Sequence, residues 1–263
     1  MKTVLITGAY GGMGRATVTL LRDRGYRVFA LDCKGAEAEE NIIPICADIT
    51  DEAGIKAAYN EICHATDHLD AVVHFAGIYM LDSLVEMGTA EFDRILDINL
   101  RGVFLINRIF LPLLGKGSRI VITTSELAPL DPLPFTGIYA ITKAALDKYA
   151  YSLRMELQLL GIKVSVLRAG AVQTDMLGVS TTALDRFCEQ TAIYACNAAR
   201  FKRIVNGVET RCVPPASIAK KCEKILNKRN PAFAYHMNRN PLLLLLNILP
   251  KRMQLWVIRM ILK

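Results

Sequence analysis

The sequence predicts an α/β fold in which one parallel β-sheet carries helices on both faces. Three observations support this prediction. Short continuous apolar runs alternate with helical patterns, which is typical of strands buried on both faces of a parallel sheet. The chain has 263 residues, enough for one large domain, and its 52% apolar and 22% charged residues exclude a disordered chain. No linker interrupts the pattern, so residues 1–263 are predicted to form a single domain.

The strands and helices follow in order from local patterns. A β-branched run opens the chain and leads into a glycine turn, and each later strand is a similar apolar run. The predicted strands are Thr3–Thr7, Arg27–Leu31, Ile42–Cys46, Ala71–Phe75, Arg119–Thr123 and Lys163–Arg168. Helical spacing of apolar residues, an entry through Thr50 and a proline pair suited to a first turn predict the helices. They are Gly12–Arg24, Asp51–Cys63, Thr89–Leu114, Tyr139–Leu160 and a last one from Pro214–Pro215 to Asn227.

The alternation breaks after Gly170. Residues 176–213 have weak helical patterning, polar interruptions and no predicted strand. Ligands of open α/β sheets bind beyond the carboxyl ends of the strands, so a long insertion there is a candidate substrate lid. A surface loop is the alternative interpretation.

Charge is concentrated at the end of the chain. The net charge is +7, but ten Lys and Arg residues lie from Lys220 onward, where Glu223 is the only acidic residue. No aromatic-interleaved basic motif accompanies this charge, so no nucleic-acid partner is predicted. The apolar run in the basic, leucine-rich tail 241–263 is too short to span a bilayer. Packing on the protein or a neighbouring subunit is favoured for it, and peripheral membrane contact is the alternative.

Cysteine and histidine usage predicts a reduced, metal-free protein. The N-terminus shows no secretion signal, so a cytoplasmic location is predicted. Seven scattered cysteines without a Cys-x-x-Cys pair indicate free buried thiols in a reducing compartment. The four histidines do not share the spacing of a metal-ligand set, so no metal site is predicted.

A glycine turn joins the first strand to the first helix. The stretch Thr7–Gly14 reads Thr-Gly-Ala-Tyr-Gly-Gly-Met-Gly, and such glycines let the backbone approach a pyrophosphate at a helix N-terminus. Asp32 ends the second strand, 18 residues beyond Gly14. A carboxylate there can accept hydrogen bonds from a ribose diol and repels a 2′-phosphate, which favours NAD over NADP although Lys34 lies nearby. An ordinary tight turn would also account for the glycines.

Tyr139 and Lys143 stand at the start of a long helical pattern. A spacing of four residues puts the phenol and the ammonium group on one helix face. A free tyrosine has a pKa of about 10, and a neighbouring cation lowers this pKa. The pair is therefore expected to exchange a proton with an alcohol or a carbonyl oxygen. A surface pair at a helix start is the alternative.

In this order and spacing, these motifs resemble the short-chain dehydrogenase/reductase superfamily over residues 1 to about 230. The family's glycine turn corresponds to Gly8, Gly12 and Gly14, and its Asn-Asn-Ala-Gly motif reads His74-Phe75-Ala76-Gly77, without either asparagine. Its Pro-Gly-x-x-x-Thr motif reads Ala169 to Thr174, without the proline. The resemblance implies a Rossmann-type, doubly wound fold. It also implies dinucleotide contacts from Gly8, Tyr10, Gly12, Met13, Gly14, Asp32, Asp48, Ile49, Ala76, Gly77, Tyr139, Lys143, Gly170, Val172 and Thr174.

The resemblance also implies four catalytic residues. Tyr139 exchanges the proton, Lys143 lowers the pKa of the tyrosine and holds the nicotinamide ribose, and Asn99 anchors a water of the proton relay. The family's serine stands 13 residues before the tyrosine, where this chain has Glu126, while Ser125 lies 14 before it. Ser125 is favoured, with one residue inserted in the stretch 129–134. Glu126 remains the alternative.

These motifs predict an NAD(H)-dependent oxidoreductase of a secondary alcohol or ketone. The apolar lid and the approach Leu133–Phe135 resemble the hydroxysteroid and retinol branches, which favours a bulky hydrophobic substrate such as a steroid or bile acid. A 3-oxoacyl-type reductase and a dinucleotide-binding regulator with weak turnover are the alternatives. The resemblance further implies a homo-oligomer, dimer or tetramer, paired through the helices predicted at 89–114 and 139–160.

Overall fold

A computed structural model describes residues 1–208 and 212–263, with residues 175–181 and 206–208 described as backbone only. The strands form one seven-stranded sheet in the order β3-β2-β1-β4-β5-β6-β7, and every neighbouring pair is parallel. They are β1 Thr3–Thr7, β2 Arg27–Asp32, β3 Ile42–Cys46, β4 Leu69–His74, β5 Leu114–Ser125, β6 Lys163–Ala169 and β7 Ala234–Met237. The predicted fold class is confirmed.

Ten α-helices surround or follow the sheet in the described chain. They are α1 Gly12–Asp23, α2 Glu52–Ala65, α3 Thr89–Leu96, α4 Gly102–Phe110, α5 Gly137–Leu157, α6 Asp175–Gln190, α7 Ala195–Val208, α8 Pro215–Asn227, α9 Pro241–Ile248 and α10 Lys251–Leu262. Within the described residues, no helix is both long and apolar enough to cross a membrane.

Alternate residues of each strand point to opposite faces of the sheet, and helices cover both faces. Leu5 of β1 joins the core under α2, α4 and α5, whereas Val4 and Ile6 join the core under α1 and α8. All five residues of β1 are buried. Strand order reverses between β1 and β4, and ligands bind at such a switch point. The candidate site is therefore expected between β1 and β4.

The prediction of one continuous helix over residues 89–114 is wrong. Residues 89–114 form α3, a π-helical turn Asp97–Arg101, α4 and a 3-10 turn, and Leu114 already begins β5. The extra residue of the π-turn directs Asn99 into the protein, where it is fully buried. Such π-turns often mark functional sites. The predicted helix 139–160 begins two residues earlier, at Gly137, and ends in a 3-10 turn at Gln158–Leu160.

Two regions of the C-terminal half were predicted incorrectly. The strand β7 was missed because its four residues, Ala-Tyr-His-Met, are all only partly buried and show no alternation. The insertion 176–213 is not irregular, because α6 and α7 occupy most of it. Its apolar residues recur at helical spacing, as Leu184 and Phe187 in α6 and Ala198 and Phe201 in α7, and pack in one cluster. Residues 209–211 of that prediction lie outside the described residues.

The prediction of buried thiols is also wrong. None of the seven cysteines, all of which the structure describes, forms a disulfide, but only Cys222 is buried, while Cys33, Cys46, Cys63 and Cys196 are exposed. Strand ends and outer helix faces place these side chains in solvent. Burial raises the pKa of Cys222 to about 12.

Candidate active site

The glycine turn after β1 forms the floor of a crevice, and each glycine is required for a different reason. Gly8 has φ +67, and a Cβ there would lie 2.5 Å from the Ala76 nitrogen. A Cβ on Gly14 would lie 2.0 Å from the Gly8 oxygen, and one on Gly12 would lie 2.6 Å from Thr174 Cγ2. The turn therefore brings β1, the end of β4 and the start of α6 within contact distance of one another.

This turn suits the phosphates of a dinucleotide. The N-cap of α1 is Gly11, whose residue type provides no capping side chain, and the first turn carries no acidic residue. Its amide groups and helix dipole therefore remain available to an anionic ligand. The adjoining crevice has a volume of about 1000 Å³ and is lined by eleven of the predicted contacts. They are Gly8, Tyr10, Gly12, Met13, Gly14, Asp32, Asp48, Ile49, Ala76, Gly77 and Thr174.

Asp32 lies at the end of β2 on the wall of the crevice. Its Oδ2 accepts a hydrogen bond from the Tyr10 amide at 3.0 Å, and its Oδ1 accepts one from the Lys34 amide at 3.1 Å. Among the described residues, no Lys or Arg side chain forms an ion pair with this carboxylate. The Lys34 side chain therefore does not cancel the charge on which the prediction of NAD depends.

Asp48 and Ile49 also line the crevice. Asp48 is exposed, and its Oδ1 accepts from the Thr50 amide and hydroxyl, both at 2.8 Å. Ile49 is buried against Gly102, where a Cβ would lie 2.7 Å from Ile49 Cδ1. Contacts within the protein therefore hold both residues in place.

The segment after β6 contains three of the predicted contacts, and only one of them lines the crevice. Thr174 faces the crevice beside Gly12, whereas Gly170 and Val172 do not line it. Gly170 packs against the Asn238 backbone, to whose oxygen a Cβ would approach within 2.1 Å, and Val172 is buried and pairs with Val213. Gly170 and Val172 therefore shape the segment that presents Thr174.

The catalytic candidates converge at the carboxyl end of β5. Ser125 is the last residue of β5 and is buried, and its hydroxyl lies beside Tyr139, in the first turn of α5, where it acts to lower the pKa of that phenol. The ring of Tyr139 packs against Tyr79, which lines the crevice, with 4.8 Å between ring centroids. The phenol thus lies directly behind the crevice wall.

Lys143 joins this group from the next turn of α5. Its Nζ lies 5.6 Å from the centroid of the Tyr139 ring and 3.5 Å from the Thr123 oxygen. A Cβ on Gly77 would lie 3.4 Å from that Nζ and 3.1 Å from Asn99 Oδ1, so Lys143 and Asn99 meet just below the crevice. The predicted sharing of one helix face is therefore observed.

The expected lowering of the tyrosine pKa is not found in the chain itself. Burial raises the pKa of Tyr139 above its ordinary value, the Tyr79 phenol adds to this, and the hydrogen bond with Ser125 opposes it. Burial also lowers the pKa of Lys143 to about 8. The reason is that both groups are enclosed by protein, and loss of solvent disfavours both charged forms. Tyr139 is therefore a protonated phenol at neutral pH, ready to donate.

Asn99 is held by three hydrogen bonds. Its Oδ1 accepts from the Ile78 amide at 2.8 Å, and its Nδ2 donates to the Ile78 oxygen at 2.9 Å and to Thr142 Oγ1 at 3.1 Å. Since Ile78 follows Gly77 and Thr142 precedes Lys143, this amide couples the crevice wall to α5. Thr142 was missed by the sequence analysis, although its place beside Lys143 could have suggested it.

Ser125 and Glu126 have different surroundings. The Glu126 Oε2 accepts a hydrogen bond from the Asn240 amide at 2.7 Å. Burial raises the pKa of Glu126. Ser125 thus contacts Tyr139, while Glu126 fastens the chain between β7 and α9.

An aromatic cover lies beside these residues. Phe135, in the predicted hydrophobic approach, packs on Phe187, Tyr194 and Phe201 with centroid distances of 4.6, 5.3 and 5.5 Å. The last three belong to α6, α7 and their connection. A cavity of about 450 Å³ opens next to this cluster and reaches Gly137, two residues before Tyr139. Tyr79 and this cluster were missed as site residues, because no motif spacing marks them.

His74 replaces the first asparagine of the family motif and has a structural environment. It is buried, and its Nε2 hydrogen-bonds Asn107 Oδ1 at 3.0 Å. Burial lowers its pKa to about 4, so the ring is neutral at pH 7. In the part of the chain that the structure describes, no three His, Cys, Asp or Glu residues are grouped to hold a metal ion.

Comparisons with known proteins agree with this geometry. The family model of short chain dehydrogenases matches residues 2–185. A versicolorin reductase from Emericella nidulans is 30% identical over 186 residues, which cover 66% of this chain and 70% of that protein. Estradiol 17-beta-dehydrogenase 2 from Mus musculus is 32% identical over 191 residues, covering 67% of this chain and 50% of that protein. The match thus spans only half of the mouse enzyme.

A solved structure shares the fold. The crystal structure of a short chain dehydrogenase family protein from Francisella tularensis superposes with a TM-score of 0.75 at 22% identity. The match covers 90% of this chain and 97% of that one.

Proposed function

The chain belongs to the short-chain dehydrogenase family, and on that premise we propose that it transfers a hydride between NAD(H) and a secondary alcohol or ketone. The observation that carries this proposal is the convergence of Ser125, Tyr139 and Lys143 behind a glycine-floored crevice, with the Lys143 nitrogen 5.6 Å from the centroid of the Tyr139 ring. When bound, the dinucleotide supplies the hydride acceptor or donor.

Each residue then has a role that its position supports. Ser125 donates a hydrogen bond to the substrate oxygen and orients it. Tyr139 gives its proton to that oxygen during reduction and receives a proton during oxidation. Lys143 places positive charge beside the ring, which stabilises the phenolate formed when the proton leaves. Asn99 positions the π-turn, the crevice wall and Lys143 relative to one another.

NAD is the proposed cofactor because of Asp32. Its carboxylate lies on the crevice wall without a basic side-chain partner among the described residues. A 2′-phosphate placed beside that carboxylate would be repelled, whereas a ribose diol can donate to it.

The proposed substrate is bulky and hydrophobic, such as a hydroxysteroid or bile acid. The aromatic cluster around Phe135 and the apolar cavity of about 450 Å³ support this choice. One relative is named for estradiol, a steroid. A 3-oxoacyl-type reductase is a second candidate, and Asp32 argues against the NADPH preference usual in that branch.

The test begins with replacement of the proton donor. Tyr139→Phe should reduce turnover at least about a thousandfold, because general acid–base catalysis is lost, and should leave the NAD dissociation constant nearly unchanged. Steady-state absorbance of reduced nicotinamide and titration calorimetry with NAD and NADP measure the two quantities. Tyr151→Phe on the same helix is the matched control, since that ring is 52% exposed and packs edge to face against Phe233. Retained turnover in Tyr139→Phe would refute the assigned role.

The same assay separates the enzyme from a regulator. Tight NAD binding without oxidation or reduction of any steroid, bile acid or short secondary alcohol would favour the dinucleotide-binding regulator. Turnover of 3-oxoacyl substrates with NADPH would favour the second enzyme candidate.

We also propose a cytoplasmic homo-oligomer. Exposed apolar side chains on α4 and α5, namely Phe104, Ile141, Tyr151 and Met155, support pairing through these helices. Light scattering coupled to size exclusion measures the oligomer number, and a monomer at all concentrations would contradict this proposal.

A further inference from the structure

The last two helices present apolar faces that the active site does not use. On α9, Leu242, Leu245 and Ile248 are 63, 61 and 78% exposed. On α10, Met253, Trp256 and Met260 are 49, 63 and 65% exposed. Both sets recur at helical spacing, so each forms one outward stripe. Large exposed apolar patches on soluble proteins mark surfaces that meet a partner or a membrane.

Contacts on their other faces hold both helices in place. Gln254, Ile258 and Leu262 form the inner face of α10, and the Leu262 oxygen accepts from Asn197 Nδ2 at 2.7 Å. Asn247 Oδ1 of α9 accepts from the Asp131 amide at 2.7 Å, and Lys251 pairs with the Asp131 carboxylate. The apolar stripes are therefore the faces left over after the tail has packed on the protein.

Positive charge accompanies the stripes. No acidic residue follows Glu223 in the sequence. Lys251, Arg252, Arg259 and Lys263 are all exposed, and at 100° per residue Arg252 and Lys263 lie next to Trp256 around α10. We propose that residues 241–263 dock on an anionic phospholipid surface, with the six apolar side chains in the headgroup–acyl boundary and the cations at lipid phosphates.

A second copy of the chain suits this surface less well. A two-fold interface places the same patch of both copies together, so the cations of one tail would face those of the other. The tail carries no acidic residue to offset that repulsion. An anionic lipid surface offers the opposite charge over the whole patch.

The tail also adjoins the apolar cavity beside the active site. Leu255, Ile258 and Leu262 line one side of this cavity, and Phe135 and Gly137 line the other. A docked tail would hold the cavity next to the lipid from which a hydrophobic substrate partitions. That link rests on the proposed function, whereas docking itself is tested without any substrate.

The experiment uses the full chain and its sole tryptophan, Trp256. Vesicles of phosphatidylcholine alone are compared with vesicles containing about a third of phosphatidylglycerol. Docking predicts sedimentation with the anionic vesicles, a shift of the tryptophan emission to shorter wavelengths, and weakening of both by added salt. The combined variant Leu242→Ser, Leu245→Ser and Ile248→Ser should bind at least about tenfold more weakly, and Arg252→Gln with Arg259→Gln about tenfold more weakly.

Leu159→Ser is the matched control, because Leu159 is 83% exposed but lies after α5. It should bind vesicles like the wild type, and NAD binding by all variants reports that each is folded. Absence of sedimentation with anionic vesicles would overturn the proposal. It would equally be overturned if the emission shift followed protein concentration without vesicles and vanished in the triple serine variant, since the stripe would then be an interface between copies.

Discussion

The crevice and the tail differ in the groups that they offer to a ligand or a partner. The crevice offers backbone atoms, because Gly8, Gly12 and Gly14 allow approaches that a Cβ would block. Helices α6, α7, α9 and α10 offer apolar side chains, in the cluster around Phe135 and in the outward stripes of α9 and α10. Backbone recognition requires particular residues at fixed spacings, whereas apolar contact requires only surface of a suitable size. The first can be read from a motif and the second cannot.

The largest effect is expected when a side chain is added to the glycine turn of the crevice. Gly14→Ala should destabilise the fold by about 3 kcal/mol and abolish measurable NAD binding, because its Cβ would meet the Gly8 oxygen at 2.0 Å. Thermal unfolding and calorimetric titration measure the two effects. Gly115→Ala is the control, since nothing lies within 4 Å of its added Cβ. Equal behaviour of the two variants would contradict the assigned close approach.

A second effect concerns the stability of the sheet next to the crevice. The pKa of His74 is lowered from 6.5 to about 4, so between these values the unfolded chain binds a proton that the folded chain does not. Stability should therefore fall by about 3 kcal/mol as the pH drops through this range, and become independent of this group below it. Urea unfolding from about pH 7 to about pH 4.5 measures this slope.

The variant His74→Asn should remove most of that slope. His64→Asn serves as the control, because His64 is an exposed residue at the end of α2. An unchanged slope in His74→Asn would assign the acid sensitivity to carboxylates elsewhere.

A smaller effect tests the proposed role of Asp32 in cofactor choice. Asp32→Ala should shift the ratio of NAD to NADP affinity toward NADP by at least about tenfold, because the repulsion of a 2′-phosphate is removed. Competition titrations with both dinucleotides measure the ratio. Asp70→Ala, at the opposite end of the sheet beside Thr3, is the control and should leave it unchanged. An unaltered ratio in Asp32→Ala would place cofactor discrimination elsewhere.

The smallest effect is expected where Glu86 fastens the connection between α6 and α7. Glu86 accepts hydrogen bonds from Thr191 Oγ1 at 2.7 Å and from the amides of Ala192 and Ile193 at 2.9 and 3.1 Å. Glu86→Ala should loosen the connection between α6 and α7 and increase its cleavage by protease several-fold, with little change in NAD affinity. Glu91→Ala, an exposed residue in the first turn of α3, is the control. Cleavage at the wild-type rate would show that the aromatic cluster alone holds the connection between α6 and α7.

Tertiary context explains where the prediction from sequence succeeded and failed. The strands β1 to β6 were found because burial on both faces leaves a continuous apolar run. Asn99 was predicted from its motif, but its π-turn was not, since one extra residue in a helix leaves the apolar pattern nearly intact. The strand β7 was missed because four partly buried residues carry no periodic signal. The direction of the Tyr139 pKa was wrong because enclosure outweighs a nearby amine, and enclosure depends on residues distant in the chain.

The sequence by itself determined the fold class, the glycine turn, Asp32 and the pair Tyr139–Lys143, because each depends on residue type and local spacing. Only the tertiary structure placed Ser125 beside Tyr139 and Glu126 against Asn240, covered the phenol with Tyr79, and turned the stripes of α9 and α10 outward. These features depend on the direction in which a side chain leaves its strand or helix, and on what packs against it. Both are set by contacts between segments far apart in the chain, for which the sequence carries no local pattern.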